Sequence, residues 1–90
     1  MLNQVQLVGR VKKVYQDSDK DWYLVLEVTR SFKDFEGSFL KDYLKCKVWR
    51  GVESLVKYCQ NNQFVSVCGR LNCLEGETIE LECTYIDVLG

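Results

Sequence analysis

The sequence predicts an all-β protein, a five-stranded barrel with one short helix between the third and fourth strands. Three observations carry that expectation. Five segments place apolar residues at every second position, which is the mark of half-buried strands. One segment after the third strand changes to a helical period near 3.6. The 90 residues contain no proline, repeat or linker, so the elements belong to one domain spanning 1–90.

The first strand candidate runs from Leu2 to about Val14. Val5, Leu7, Gly9 and Val11 share one parity there, and Gln4, Gln6, Arg10 and Lys12 share the other. Gly9 inside such a run points to a bulge or a tight bend, as at a barrel corner. "QDSDKD" supplies turn residues before the second candidate, "WYLVLEVTR". Trp22, Leu24, Leu26 and Val28 form its apolar parity, with Tyr23, Val25, Glu27 and Thr29 opposite. "SFKDFEGS" reads as a loop bending at Gly37, and "KDYLKCKVWR" is the third strand.

In "GVESLVKYCQNN", Val52, Leu55, Val56 and Cys59 make the stripe of a short amphipathic helix. Asn61 and Asn62 tolerate the left-handed backbone that ends one. The fourth strand is "QFVSVCGRL", "NCLEGE" is a tight connection, and "TIELECTYIDVL" is the fifth strand. Its apolar parity switches after Thr84, which requires a bulge near Tyr85. This β-β-β-α-β-β order fits the OB-fold, a Greek-key barrel whose second and third strands present a ligand face. Another small barrel or an open α+β sheet shares the same periodicity.

Net charge is −1, yet the charges are segregated. Residues 71–90 hold Glu75, Glu77, Glu80, Glu82 and Asp87 and no cation. That leaves eight acids against all twelve bases in residues 1–70, a local net of +4. There is no histidine, so a His-based triad, general base or His/Cys metal cluster is excluded. The five cysteines are odd in number and lack metal or redox spacing, and they read as small apolar fillers in a reducing compartment. No cofactor is expected. No apolar run reaches the length of a membrane span, and the start lacks a signal peptide, so the expected location is cytosolic.

The third strand carries the chemistry. Lys41, Tyr43, Lys45, Lys47 and Trp49 lie on one parity, and Leu44, Cys46 and Val48 lie on the other. Burying three unpaired ammonium groups inside a small barrel is too costly, so the Lys parity faces outward and takes both rings with it. Single-stranded nucleic acid calls for this combination, because its bases stack on aromatics and its phosphates attract amines. A face packed against a partner subunit would show the same composition. Trp22 shares the apolar parity and is expected in the core.

"VQLVGRV" at Val5–Val11 is similar to the opening of bacterial single-stranded DNA-binding proteins. The stretch from Glu27 to Leu71 follows the same family through strand, loop, strand, helix and the "GRL" ending, and the closing "IDVLG" resembles the end of its last core strand. The resemblance implies an OB-fold, a homo-oligomer that is a tetramer rather than a dimer, and binding of single-stranded DNA without strong sequence preference or catalysis. RNA is a possible second ligand. It implies a bacterial, cytoplasmic, nucleoid-associated protein of replication, recombination or repair.

The family's stacking positions correspond to Phe32, Tyr43 and Trp49. Phe32 carries the apolar parity of Val28, so a twist or bulge must precede it if it is to reach the binding face. Lys45, Lys47, Lys33, Arg30 and Arg10 are the expected phosphate contacts, with Lys41 and Lys12 secondary. Short connections after the first strand and from Leu71 to Thr78 imply a smaller DNA footprint, and no acidic, Phe-ended tip for recruiting other proteins is expected after Gly90. Two alternatives remain: a primosomal-type dimer of related fold, and an OB-fold subunit whose aromatic strand meets another protein.

Overall fold

A computed structural model describes residues 2–90. Strands β1 (Val5–Gln16), β2 (Trp22–Lys33), β3 (Phe39–Val48), β4 (Phe64–Cys73) and β5 (Ile79–Val88) form a closed barrel in the order β1-β2-β3-β5-β4. Helix α1 (Glu53–Val56) lies between β3 and β4. Neighbouring strands are antiparallel except β3 and β5, which pair in parallel over Cys46–Val48 and Leu81–Cys83. This is the OB arrangement the element order predicts.

The inward parities meet in one core: Val11, Leu24, Leu26, Cys46, Val48, Val65, Val67, Cys83 and Ile86, plugged by Val56 from α1. Each fully buried Val or Leu contributes about 1.5–3 kcal/mol. Trp22 packs against this cluster, as its parity predicts. Leu44 is only half-buried because its end of β3 leaves the barrel.

Closure depends on two glycines and two bulges. A Cβ at Gly9 would collide with the Glu27 carbonyl on β2, and one at Gly69 would collide with the Glu82 carbonyl on β5. Glycine is therefore required for strand approach at both positions. The β4–β5 register shifts between Cys68 and Gly69, which pair with Tyr85 and Cys83, so Thr84 is the extra residue. That bulge meets the parity switch read from the sequence. The second lies in β1 between Val11 and Lys13.

Some boundaries differ from the sequence reading. β2 runs on to Lys33 and β3 starts at Phe39, so the first three residues of "SFKDFEGS" are strand, and the turn is confined to Asp34–Ser38. There the Asp34 carboxylate accepts hydrogen bonds from the Glu36 and Ser38 amides, and Gly37 takes φ 85°. α1 is a single turn. Val52, Val56 and Cys59 meet the core, whereas Leu55 stays half-exposed because the chain turns off the barrel before a second helical turn forms. Asn62 adopts φ 66°, but it does so in the turn before β4, because the helix ends earlier, at Val56 with Lys57 as its right-handed C-cap. Cys46 and Cys83 are core fillers, but Cys73 is exposed at the end of β4.

Candidate nucleic-acid interface

The outer face of β1–β2–β3 is an ordered grid. Between β2 and β3 the register pairs Tyr23 with Lys47, Val25 with Lys45, Glu27 with Tyr43 and Thr29 with Lys41. Between β1 and β2 it pairs Tyr15 with Tyr23, Lys13 with Val25 and Arg10 with Glu27. Registered partners point to the same side of a sheet, so rings and amines from three strands share one surface.

Tyr43 and Trp49 are 60% and 51% exposed. Trp49 lies just past β3, where its amide donates to the Cys83 carbonyl at 2.9 Å and fixes the ring's base. Its side chain lines an open cleft of about 580 Å³ with Asp21, Lys47, Arg50 and Glu82. Phe32 is 61% exposed and stands in the stretch where the β2–β3 register shifts between Thr29 and Lys33. Two residues are extra on β2 there, so Lys33 regains the outward parity opposite Phe39 and the shift by itself leaves Phe32 on the parity of Val28. Lys33 follows, with its ammonium 5.4 Å from the centre of the Phe39 ring.

The predicted cations fall into three groups. Lys45 has no carboxylate partner among the described residues, and its ammonium lies 4.4 Å over the Tyr23 ring. The Arg10 guanidinium stacks 4.1 Å from the Phe64 ring centre and donates to the Asn62 carbonyl. Lys47 stands 3.8 Å from Asp21. Arg30 is placed differently from the others: it makes a two-point bridge to Asp42 at 2.9 and 3.0 Å. Both lie on the parity opposite Tyr43, beyond the end of the core.

The centre of the face holds an acid that charge and parity did not single out. Glu27 is 6% exposed, with Lys12 at 3.3 Å and Lys41 at 3.6 Å. Burial alone would raise its carboxyl pKa, but hydrogen bonding by Lys12 and Tyr43, with the nearby positive charge, holds it below the ordinary value. Lys12 and Lys41 are thus occupied by a carboxylate, and Tyr43 is oriented by it. Glu27 stands opposite the core parity of β2, so its exposure to this face was readable, while its burial beneath two lysines was not.

Tyr15, Tyr23 and Lys13 were also missed. The bulge after Val11 moves Lys13 and Tyr15 onto the outer side, whereas uninterrupted alternation would put Tyr15 with Val11 in the core. Tyr23 needed no such correction, since its parity already opposed Leu24 and Leu26. Burial, then the charge of Asp17, raises its phenol pKa above the usual range, with Lys45 acting in the opposite direction. The ring therefore stays neutral at physiological pH. Among the described residues, no cluster of three or more His, Cys, Asp or Glu is placed to hold a metal ion.

Fold and face together define a small OB barrel with an aromatic and basic ligand surface. Similarity then narrows the class. The chain is 36% identical over 95 aligned positions to single-stranded DNA-binding protein B of Bacillus subtilis, covering 96% of this chain and 81% of that one. It belongs to the single-stranded DNA-binding protein family. No family model matches it. Among solved structures, wild-type single-stranded DNA binding protein from Thermus aquaticus superposes with a TM-score of 0.71 at 22% identity. That match covers 99% of this chain and 50% of the other. A small single-stranded DNA binding protein from Mycoplasma pneumoniae gives 0.70 at 20% identity, covering 97% and 93%. Both carry the same barrel.

Proposed function

We propose that this protein binds single-stranded DNA as a non-enzymatic module, without strong sequence preference, and shields unpaired strands during replication, recombination or repair. One observation carries the reading: Tyr43 and Trp49 stand exposed on the same outward parity of β3, with the unpaired Lys45 between them. Bases stack on Phe32, Tyr43 and Trp49 while phosphates lie against Lys45, Lys33 and Arg10. Lys47 steers the strand and exchanges Asp21 for phosphate on contact, while Arg30, held by Asp42 on the opposite parity, adds only to the local positive field. Family membership supports the same ligand and a location in the bacterial cytoplasm, and association with the nucleoid is part of the proposal.

The test is a titration of an unstructured oligodeoxynucleotide followed by Trp fluorescence at several salt concentrations. Quenching with a midpoint that weakens steeply as salt rises is expected. No quenching and no salt-dependent shift at micromolar protein would overturn the reading. An oligoribonucleotide in the same assay measures the preference for DNA. Self-assembly to a tetramer is the proposed solution state, and exposed Leu2, Val8, Leu71 and Tyr85 outside the β2–β3 face are its candidate contacts. Light-scattering mass distinguishes it from a dimer.

A further inference from the structure

The Tyr15–Tyr23 pair joins β1 to β2 outside the core. Neither ring belongs to the core cluster or packs against it. The two rings stack on each other across β1 and β2, with centroids 5.4 Å apart and planes 20° from parallel. Each carries an ammonium on its face: Lys13 at 4.8 Å from the Tyr15 centroid and Lys45 at 4.4 Å from that of Tyr23. Beside Tyr23 a cleft of about 210 Å³ opens between Lys45, Lys47 and the β4–β5 hairpin, where Leu74 and Ile79 expose apolar walls and Glu80 adds one carboxylate beside the two ammonium groups.

We propose that Tyr15 and Tyr23, with Lys13 and Lys45, form a second nucleotide-binding subsite that extends the DNA path from β3 across β2 to β1. It takes a stacked base and its adjoining phosphates. The inference rests on the single-stranded DNA reading above, and it adds a subsite outside the three stacking positions that the sequence resemblance supplies. A base entering here displaces the Lys45 ammonium from the Tyr23 ring. Stacking on an aromatic face is worth more than a solvent-exposed cation–π contact, so the exchange is favourable. The displaced ammonium stays within reach of the phosphate attached to that base. The flat, preformed pair also presents its surface without ordering a loop, and Leu74 and Ile79 offer the base an apolar flank.

The geometry makes binding depend on length. Tyr15 lies on β1 and Trp49 follows β3, so their separation across the sheet is two strand spacings, on the order of 10 Å. An oligonucleotide too short to cross that distance occupies only one end of the face.

The experiment titrates oligothymidylates of graded length against the wild-type protein and Tyr15→Leu, Tyr23→Leu and Tyr23→Phe variants. Thermal unfolding of each variant checks its fold. Wild-type affinity is expected to rise with length to a plateau. Both Leu variants should reach their plateau at a shorter length and bind long oligonucleotides about 5- to 100-fold more weakly, while Trp49 quenching at saturation persists. Tyr23→Phe keeps the ring and should bind as the wild type does. Leu variants that fold and match the wild type at every length would overturn the second subsite while leaving the parent reading intact. A wild-type protein that binds no oligonucleotide would overturn both.

Discussion

Glu27→Gln tests how the binding face is organised, because the expected change runs against the usual effect of disrupting an ion pair. Glu27 holds Lys12 at 3.3 Å and Lys41 at 3.6 Å on the face proposed to meet DNA. Glutamine keeps the shape and an acceptor oxygen but removes the charge, which releases both ammonium groups from the carboxylate to meet phosphates, with Lys12 still donating to Asn62 Oδ1 at 2.7 Å. Each phosphate neutralised on a single strand contributes about −0.7 to the slope of log K against log salt. Two released lysines should steepen that slope by about 1.4, and the variant should bind more tightly than its parent at low salt. Between about 50 and 200 mM salt, it should then lose about sevenfold more affinity than the parent loses. The assay is fluorescence titration with one oligonucleotide at a series of NaCl concentrations, alongside a thermal melt of each protein. A folded variant with an unchanged or shallower slope would refute the view that Glu27 withholds these lysines from DNA.

Four further outcomes are expected. Trp49→Ala should weaken oligonucleotide binding by about 1–3 kcal/mol in the same titration. Its melting temperature should barely change, since the ring lies outside the core. Stability should fall in acid partly through Glu27: its folded pKa is depressed, so its contribution is complete above the ordinary value of 4.5 and is lost as pH drops through the lower folded value. Acid titration followed by circular dichroism should show a shallower fall for Glu27→Gln; the Arg30-lowered Asp42 is exposed and solvent-screened, so it adds less. Gly69→Ala should cost about 1–3 kcal/mol or more in denaturant melts, because the added methyl meets the Glu82 carbonyl. Burial pushes the Cys46 and Cys83 thiols up to about 12 and about 11, so native-state alkylation read by mass spectrometry should label exposed Cys73 and spare both until unfolding.

Much of this architecture was legible because alternation in a half-buried strand is a direct imprint of the core. β3 shows it most clearly: Cys46 and Val48 against Lys45, Lys47 and Trp49 left one orientation tolerable, and the barrel adopts it. The parity break at Thr84 was equally readable, since apolar residues on both sides of it must reach one core. The β1 bulge left no such trace. Val11 and Val14 are both apolar, so nothing in the local pattern marks the extra residue between them, and Tyr15 and Lys13 were assigned no place on the face. Glu27 was hidden for another reason. Its environment is built by Arg10 and Lys12 from β1 and Lys41 and Tyr43 from β3, a convergence set by pairing between distant segments. Arg30 likewise met Asp42 only once β2 and β3 had paired beyond the core.

Charge segregation gives the second subsite a further physical basis. Along β3, Lys47 faces Glu82 of β5 across the parallel pairing and Asp21 at 3.8 Å, so the β5 side of the face is bordered by acids. Toward β1, Arg10 and Lys13 have no carboxylate partner among the described residues. Screening limits these fields to about 8 Å at physiological salt, so a phosphate responds to the charges beside it rather than to the net −1 of the whole chain. A strand anchored as proposed on Trp49 and Tyr43 would be repelled at Glu82 and drawn across Lys45 toward Lys13. That direction leads over the Tyr23 and Tyr15 rings. The acidic β5 edge thus turns phosphates away at Glu82, while around the two rings Lys13 and Lys45 offset the carboxylates of Asp17, Asp21 and Glu80.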